Sequence, residues 1–275
     1  MEQDNRQSPE GDVNHATGGE TELTTDPVRN RGIYLLPNLL TTGAMFGGFY
    51  AILAAMSGNF EFAAIAIFAA GIFDGLDGRV ARLTNTQSAF GVQYDSISDM
   101  VSFGIAPAVV VYAWALQDLG KPGWVAAFLY SACAALRLAR FNVQVSSVAK
   151  GTFIGLASPA AAGLVAAMVW TWHDAELGTL PRILAWVVTS TAGLLMVSNL
   201  RYNSFKEFDV RGKVPFVAIL AVVVGMAILQ FNPPAVLLAL GAVYTLSAPL
   251  MFAKRKLVRR SVTEHDDNIA DRDDG

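Results

Sequence analysis

Eight predominantly apolar stretches, each long enough to cross a lipid bilayer, constrain this chain more than any other feature. They run near residues 34–56, 61–82, 92–115, 123–143, 153–172, 181–200, 214–231 and 234–253. A hydrocarbon core about 30 Å thick takes about 20 residues of helix. Inside lipid every backbone N–H and C=O needs a partner within the protein, which leaves helices as the solution for such segments. The expected fold is therefore an all-α polytopic membrane protein of about eight transmembrane helices. Composition agrees: 53% of residues are hydrophobic and 16% charged, against about 25% charged in soluble domains. The gaps carry turn residues, as in Ser57-Gly58-Asn59, Gly120-Lys121-Pro122-Gly123 and Asn232-Pro233-Pro234. The lone cysteine, Cys133, lies in an apolar run. It excludes a disulfide or a cysteine-based zinc site within one chain and reads as a small packing residue.

Charge is split along the chain. The first 26 residues hold seven acidic residues and one Arg, and the last ten hold five acidic residues and one Arg. Both ends lack apolar runs and read as disordered tails, 1–30 and 259–275, around a membrane domain of 31–258. The N-terminal stretch has neither a basic region nor an apolar core of the signal-peptide type, so no cleaved leader is expected. The positive-inside rule then orients the spans. With both termini in the cytoplasm, sixteen basic residues near the membrane fall on the cytoplasmic side, and only Lys121 and Arg182 on the other. A cell (inner) membrane location follows as an expectation. The basic run Lys254 to Arg260 serves as a topology anchor that also meets anionic lipid. No nucleic-acid partner is expected.

The chemistry concentrates in Asp74-Gly75-Leu76-Asp77-Gly78-Arg79-Val80-Ala81-Arg82, followed by Gly91, Asp95 and Asp99. A charged residue at a helix centre costs about 2.5–3.5 kcal/mol on insertion scales, so four carboxylates here call for compensation. Asp74 and Asp77 stand at i, i+3 and share a helix face; Asp95 and Asp99, at i, i+4, share another. A helix hairpin turning through 83–90 brings the two faces together on the cytoplasmic side. The donors are all oxygen, and His15, His173 and His265 are distant in sequence. Such a set suits Mg²⁺ or Mn²⁺, and a metal-carboxylate cage suits phosphate chemistry. Gly78 and Gly91 leave room for a nucleotide against the backbone, and Arg82 is placed to clamp a pyrophosphate. Three other readings stay open at this point: ion pairing with Arg79 or Arg82, a proton or ion pathway, and glycines that serve only helix packing.

The spacing D-x2-D-G-x2-A-R-x8-G-x3-D-x3-D, filled here by Asp74, Asp77, Gly78, Ala81, Arg82, Gly91, Asp95 and Asp99, resembles the signature of the CDP-alcohol phosphatidyltransferases. Flanking segments look like the phosphatidylserine synthase branch. They are Pro37-Asn38-Leu39-Leu40-Thr41, Ser102-Phe103-Gly104-Ile105-Ala106-Pro107, Arg137-Leu138-Ala139-Arg140-Phe141-Asn142, Phe153-Ile154-Gly155-Leu156 and Asn199-Leu200-Arg201-Tyr202 with Ser204-Phe205-Lys206. One departure is Ala157, where the branch often has proline. The resemblance implies two metal ions held by Asp74, Asp77, Asp95 and Asp99, with Asp99 also the general base. It implies CDP bound beside Gly78, Ala81, Arg82 and Gly91.

The expected reaction is transfer of a phosphatidyl group from CDP-diacylglycerol, entering from the inner leaflet, to L-serine, with CMP leaving. The acceptor carboxylate needs cations or amide donors. Arg137, Arg140, Asn142, Arg201, Ser204 and Lys206 lie on the same side as the aspartates and are the acceptor-pocket candidates. The alternatives are the same transfer to glycerol 3-phosphate or an inositol compound, and a carboxylate-lined ion transporter. Expected partners are the two substrates, membrane lipids and a second copy of the chain in a homodimer.

Overall fold

The computed structural model of the protein describes residues 31–144, 153–202, 225, 227 and 230–252. Its elements are α1 (Arg31–Met56), α2 (Phe60–Leu83), α3 (Ala89–Asp99), α4 (Ala106–Val111), α5 (Lys121–Gln144), α6 (Ser158–Thr171) and α7 (Thr179–Val197). A final helix, α8, spans Pro233–Phe252, and α3 and α4 belong to one rod over Ala89–Leu119. Five helices among the described residues are long and apolar enough to cross a membrane: most of α1, the α3–α4 rod, α5, α7 and α8. The chain is a multi-pass membrane protein. α2 carries Glu61 at its start and Asp74, Asp77, Arg79 and Arg82 toward its end, so its apolar stretch is interrupted by charge. The expected seventh span, 214–231, lies almost wholly outside the described residues.

The core is built on small residues. Ala51, Ala54 and Ala55 of α1 are buried with Ala63, Ala64, Ile67 and Ala70 of α2. Gly47 faces Ala66 and Ala70 so closely that a Cβ there would lie 3.1 Å from Ala70 Cβ. Close approach of this kind is how helices associate where lipid competes for every apolar side chain. α6 is the central post, with Ala161, Ala162, Leu164, Val165, Ala166, Ala167, Met168 and Val169 all buried. Its 14 residues reach only about 21 Å, short for a membrane crossing.

The α3–α4 rod is not a regular helix. Over Met100–Ile105 and again over Tyr112–Leu116 it widens into turns with i→i+5 bonds, such as Ala106 N–H to Val101 O. Pro107 follows the first widened turn. It has no N–H to offer the carbonyl four residues back, which is Phe103 O. The Tyr130 hydroxyl from α5 donates to that oxygen at 3.1 Å, and Ser131 Oγ donates to Gly104 O at 3.2 Å. The freed backbone groups thus find partners inside the bundle, as they must in lipid.

Two boundaries differ from expectation. The fifth span was expected over 153–172, but its helix begins at Ser158. Phe153 and Ile154 instead form a short antiparallel pair with Tyr202 and Arg201. Gly155 then takes a left-handed φ of +82°, and a Cβ there would collide with Met196 O. Only glycine fits that turn, and Pro159, among the first helical residues, sets the helix start. The sixth span, expected over 181–200, is Thr179–Val197, because Leu200 O accepts from Gly155 N–H at the pair. The turns at Gly58 and Gly120 are as expected, with φ of +76° and +63°.

Candidate active site

The site forms where α2 ends and α3 begins. α2 stops at Leu83, Asn85 turns the chain with a φ of +52°, and Ser88 caps α3 by accepting from Gly91 N–H at 3.0 Å. This is the expected hairpin, but it is splayed. α2 and α3 pack on each other far less than each packs on α1, which braces both. The aspartates of the two helices nevertheless come together near the turn.

Asp74, Asp95 and Asp99 each bring a carboxylate oxygen to within 4.8 Å of the others. Asp95 Oδ1 is buried and meets no hydrogen-bond partner among the described residues. Three converging carboxylates with one orphaned oxygen want a cation, and a set of hard oxygen donors fits Mg²⁺ or Mn²⁺. Asp77 stands apart from this trio. It is the most buried of the four, 5% exposed, and its Oδ2 accepts from Thr41 Oγ1 of α1 at 2.6 Å.

The other sequence candidates divide. Gly78 is exposed, and a Cβ on it would meet nothing within 4 Å. Arg82 is exposed one turn on, with Ala81 half-buried beside it. Together they form an open shelf at the end of α2. Gly91 is tighter: a Cβ would stand 3.1 Å from Ser88 Oγ and 3.6 Å from Asn38 Oδ1.

Arg137, half-buried on α5, faces Asp99 electrostatically. Its Nη1 donates to Ser158 Oγ at 2.6 Å, while its buried Nε has no partner among the described residues. Arg140 Nη1 donates to Val197 O at 3.2 Å, at the end of α7, a common task for a basic residue near a helix C-terminus. Asn142 Nδ2 donates to Ser96 Oγ at 3.0 Å and so ties α5 to the helix of Asp95 and Asp99. The side chains of Arg201, Ser204 and Lys206 lie outside the described residues.

A set of hydroxyls joins the helices. Ser98 Oγ donates to Thr41 O at 3.0 Å, Ser102 Oγ to Ala44 O at 2.9 Å, and Thr42 Oγ1 meets Tyr94 Oη at 2.8 Å. The available signal was Ser and Thr placed on apolar helices, where they often bond across to a neighbour.

The CDP-alcohol phosphatidyltransferase family model matches residues 34–193. The chain belongs to that family. It is 42% identical over 178 residues to a CDP-diacylglycerol–serine O-phosphatidyltransferase of Helicobacter pylori, a match covering 64% of this chain and 74% of the relative. The Bacillus subtilis protein of the same name is 34% identical over 172 residues, 62% of this chain and 92% of that one. Among solved structures, the Mycobacterium tuberculosis phosphatidylinositol phosphate synthase with CDP-DAG bound aligns with a TM-score of 0.47 at 18% identity, over 60% of this chain and 80% of that one.

Proposed function

We propose that this phosphatidyltransferase moves the phosphatidyl group of CDP-diacylglycerol to L-serine, giving phosphatidylserine and CMP. The observation that carries the reading is the gathering of Asp74, Asp95 and Asp99 beside an open shelf at Gly78 and Arg82. The acceptor is supported by relatives named for serine. When bound at the aspartates, Mg²⁺ or Mn²⁺, as two ions, supplies charge neutralisation at the phosphate oxygens and the leaving group. Asp77 completes the acidic set from α2. Gly78 and Ala81 give the nucleotide room, Gly91 lines its other side, and Arg82 holds the pyrophosphate. Asp99 accepts the proton of the serine hydroxyl as that oxygen attacks the phosphorus bearing the diacylglycerol. The bond from phosphorus to the CMP oxygen breaks, and CMP leaves. Arg137, across from Asp99, receives the serine carboxylate.

The orientation we propose places this face in the cytoplasm of a cell-membrane protein with both termini inside. Arg79, Arg82, Arg137 and Arg140 stand at the site end of their helices, while Lys121 and Arg182 stand at the other. Tyr202, at the site end, donates its hydroxyl to Thr245 O at 3.1 Å, in the second half of α8. Pro233 therefore starts α8 at the far end. A homodimer remains the proposed assembly.

The deciding experiment gives purified protein CDP-diacylglycerol, Mn²⁺ or Mg²⁺, and a panel of acceptors. CMP release is expected with L-serine and not with glycerol 3-phosphate or myo-inositol. Release with either of the latter in place of serine reassigns the acceptor, and ion flux without CMP release overturns the enzyme reading. Both tails are proposed to lie outside the catalytic unit. A chain spanning 29–261 should keep its specific activity in detergent, and a large loss of turnover with normal folding would refute this boundary.

A further inference from the structure

Thr41 touches both aspartate-bearing helices at once. Its side chain reaches Asp77 on α2, with Oγ1 2.6 Å from Oδ2. Its carbonyl receives Ser98 Oγ of α3 at 3.0 Å, one residue before Asp99 and three after Asp95. Thr41 is 3% exposed and Ser98 2%, so water does not compete for either bond. The Thr41 hydroxyl has one proton and two acceptors in reach, Asp77 Oδ2 and Pro37 O at 3.1 Å. A threonine inside a helix ordinarily gives that proton to the carbonyl one turn back. Here the shorter, charge-assisted bond is the one to Asp77. A β-branched residue suits the task because few side-chain rotamers are open to it in a helix.

The neighbouring contacts keep α1 in register for this. Ser102 Oγ bonds Ala44 O one turn further along α3's rod, and a Cβ on Gly48 would lie 2.7 Å from Ser102 Cα. α1 and the rod therefore run in close contact from Thr41 to Gly48. Because α2 and α3 touch each other so little, the distance between the two pairs of aspartates is set through α1. Asp77 lies outside the trio of Asp74, Asp95 and Asp99 yet within electrostatic reach of Asp74 and Asp95. Released from Thr41, its carboxylate would swing away from that charge.

We propose that Thr41 is a positioning residue for the acidic site: its hydroxyl holds Asp77 beside the other three carboxylates, and its carbonyl, through Ser98, holds α3 in phase with α2. The role rests on the reading of the aspartates as a divalent-cation site. Thr41 touches no substrate and no reacting atom.

The test uses the full chain in detergent, without substrates, and Mn²⁺ as the probe, with bound metal read from loss of the free-ion paramagnetic resonance signal. Thr41→Val keeps the shape and removes the hydroxyl. It is expected to weaken Mn²⁺ binding by about 10- to 100-fold, the size of one hydrogen bond to a charged group. Thr41→Ser restores the hydroxyl and should return affinity to within about 2-fold. Ser98→Ala, which leaves the Asp77 bond intact, should weaken binding by about 2- to 5-fold. It carries the test if Thr41→Val does not fold. Wild-type protein that binds no Mn²⁺ overturns the cation site and the role of Thr41 with it. Wild-type protein that binds Mn²⁺, with Thr41→Val or Ser98→Ala binding equally well, overturns the role of Thr41 alone. A loss of affinity that Thr41→Ser does not restore also counts against it, because packing rather than the hydroxyl would then be the cause.

Discussion

Asp95→Asn is expected to lower turnover by about 10³-fold or more, several kcal/mol of lost charge stabilisation at the transferring phosphate, while the protein still inserts and folds. The reason lies in the trio. Carboxylate oxygens within 4.8 Å of one another repel by about 3–4 kcal/mol per ionised pair at an effective dielectric of about 20. A divalent cation would turn that repulsion into attraction, and Asp95 Oδ1, without a hydrogen-bond partner among the described residues, is one of the oxygens available to it. The asparagine removes one carboxylate from both balances. Without metal, two of the three repulsions disappear, so the apo protein should melt at the same temperature or higher. With metal, one charged ligand is gone and binding weakens. Asp74→Asn should behave alike, since Asp74 belongs to the same trio. The measurements are CMP release across a Mn²⁺ titration and melting of the metal-free protein. Near-wild-type turnover of either variant at low metal concentration would show that the trio does not share a cation.

Stability and activity moving in opposite directions is the mark of a site whose residues are placed for function against the preference of the fold. Carboxylates 74 and 95–99 were legible in the sequence for that reason. Nothing in the packing of an apolar helix asks for them, and their i+3 and i+4 spacings give the faces directly. What the spacing could not show is the splay of the hairpin. Two helices joined by a five-residue turn, Thr84–Ser88, are naturally read as packed partners. The structure instead sets α1 against both, through Gly47 and Gly48 on one helix and hydroxyls at 98 and 102 on the other. Hydropathy sees these residues only as mildly polar or small. Thr41 stands in a segment that resembles the family branch, but no spacing along the chain shows that its hydroxyl is the partner of Asp77. The start of α6 was missed for a different reason. Phe153 and Ile154 continue an apolar run, but they pair with residues almost fifty positions away, and no local period reports a non-local pair.

The acceptor pocket is where structure narrows the sequence reading most. Arg137, Arg140 and Asn142 end the same helix and looked equivalent. Arg140 now has an assigned task at the end of α7 and Asn142 at Ser96. Replacing either should loosen helix packing and lower both substrates' use together. Arg137 differs. It gives one N–H to Ser158, it faces Asp99, and its buried Nε has no partner among the described residues. An orphaned donor on a cation beside the proposed base is a place for a substrate carboxylate. A charge-assisted contact there is worth about 1.5–3 kcal/mol. Arg137→Ala is therefore expected to raise the KM for serine by about 10- to 100-fold and to leave the KM for CDP-diacylglycerol nearly unchanged. Arg137→Lys restores the charge without the fork and should recover only part of the loss. Separate titration of the two substrates distinguishes the possible roles. A fall in kcat at unchanged serine KM would mean that Arg137 acts through Asp99, holding the base in place. A rise in the KM for CDP-diacylglycerol would mean that it serves the pyrophosphate. Only a selective rise in serine KM, partly rescued by lysine, fits a guanidinium that binds the acceptor's carboxylate while the neighbouring Asp99 takes its hydroxyl proton.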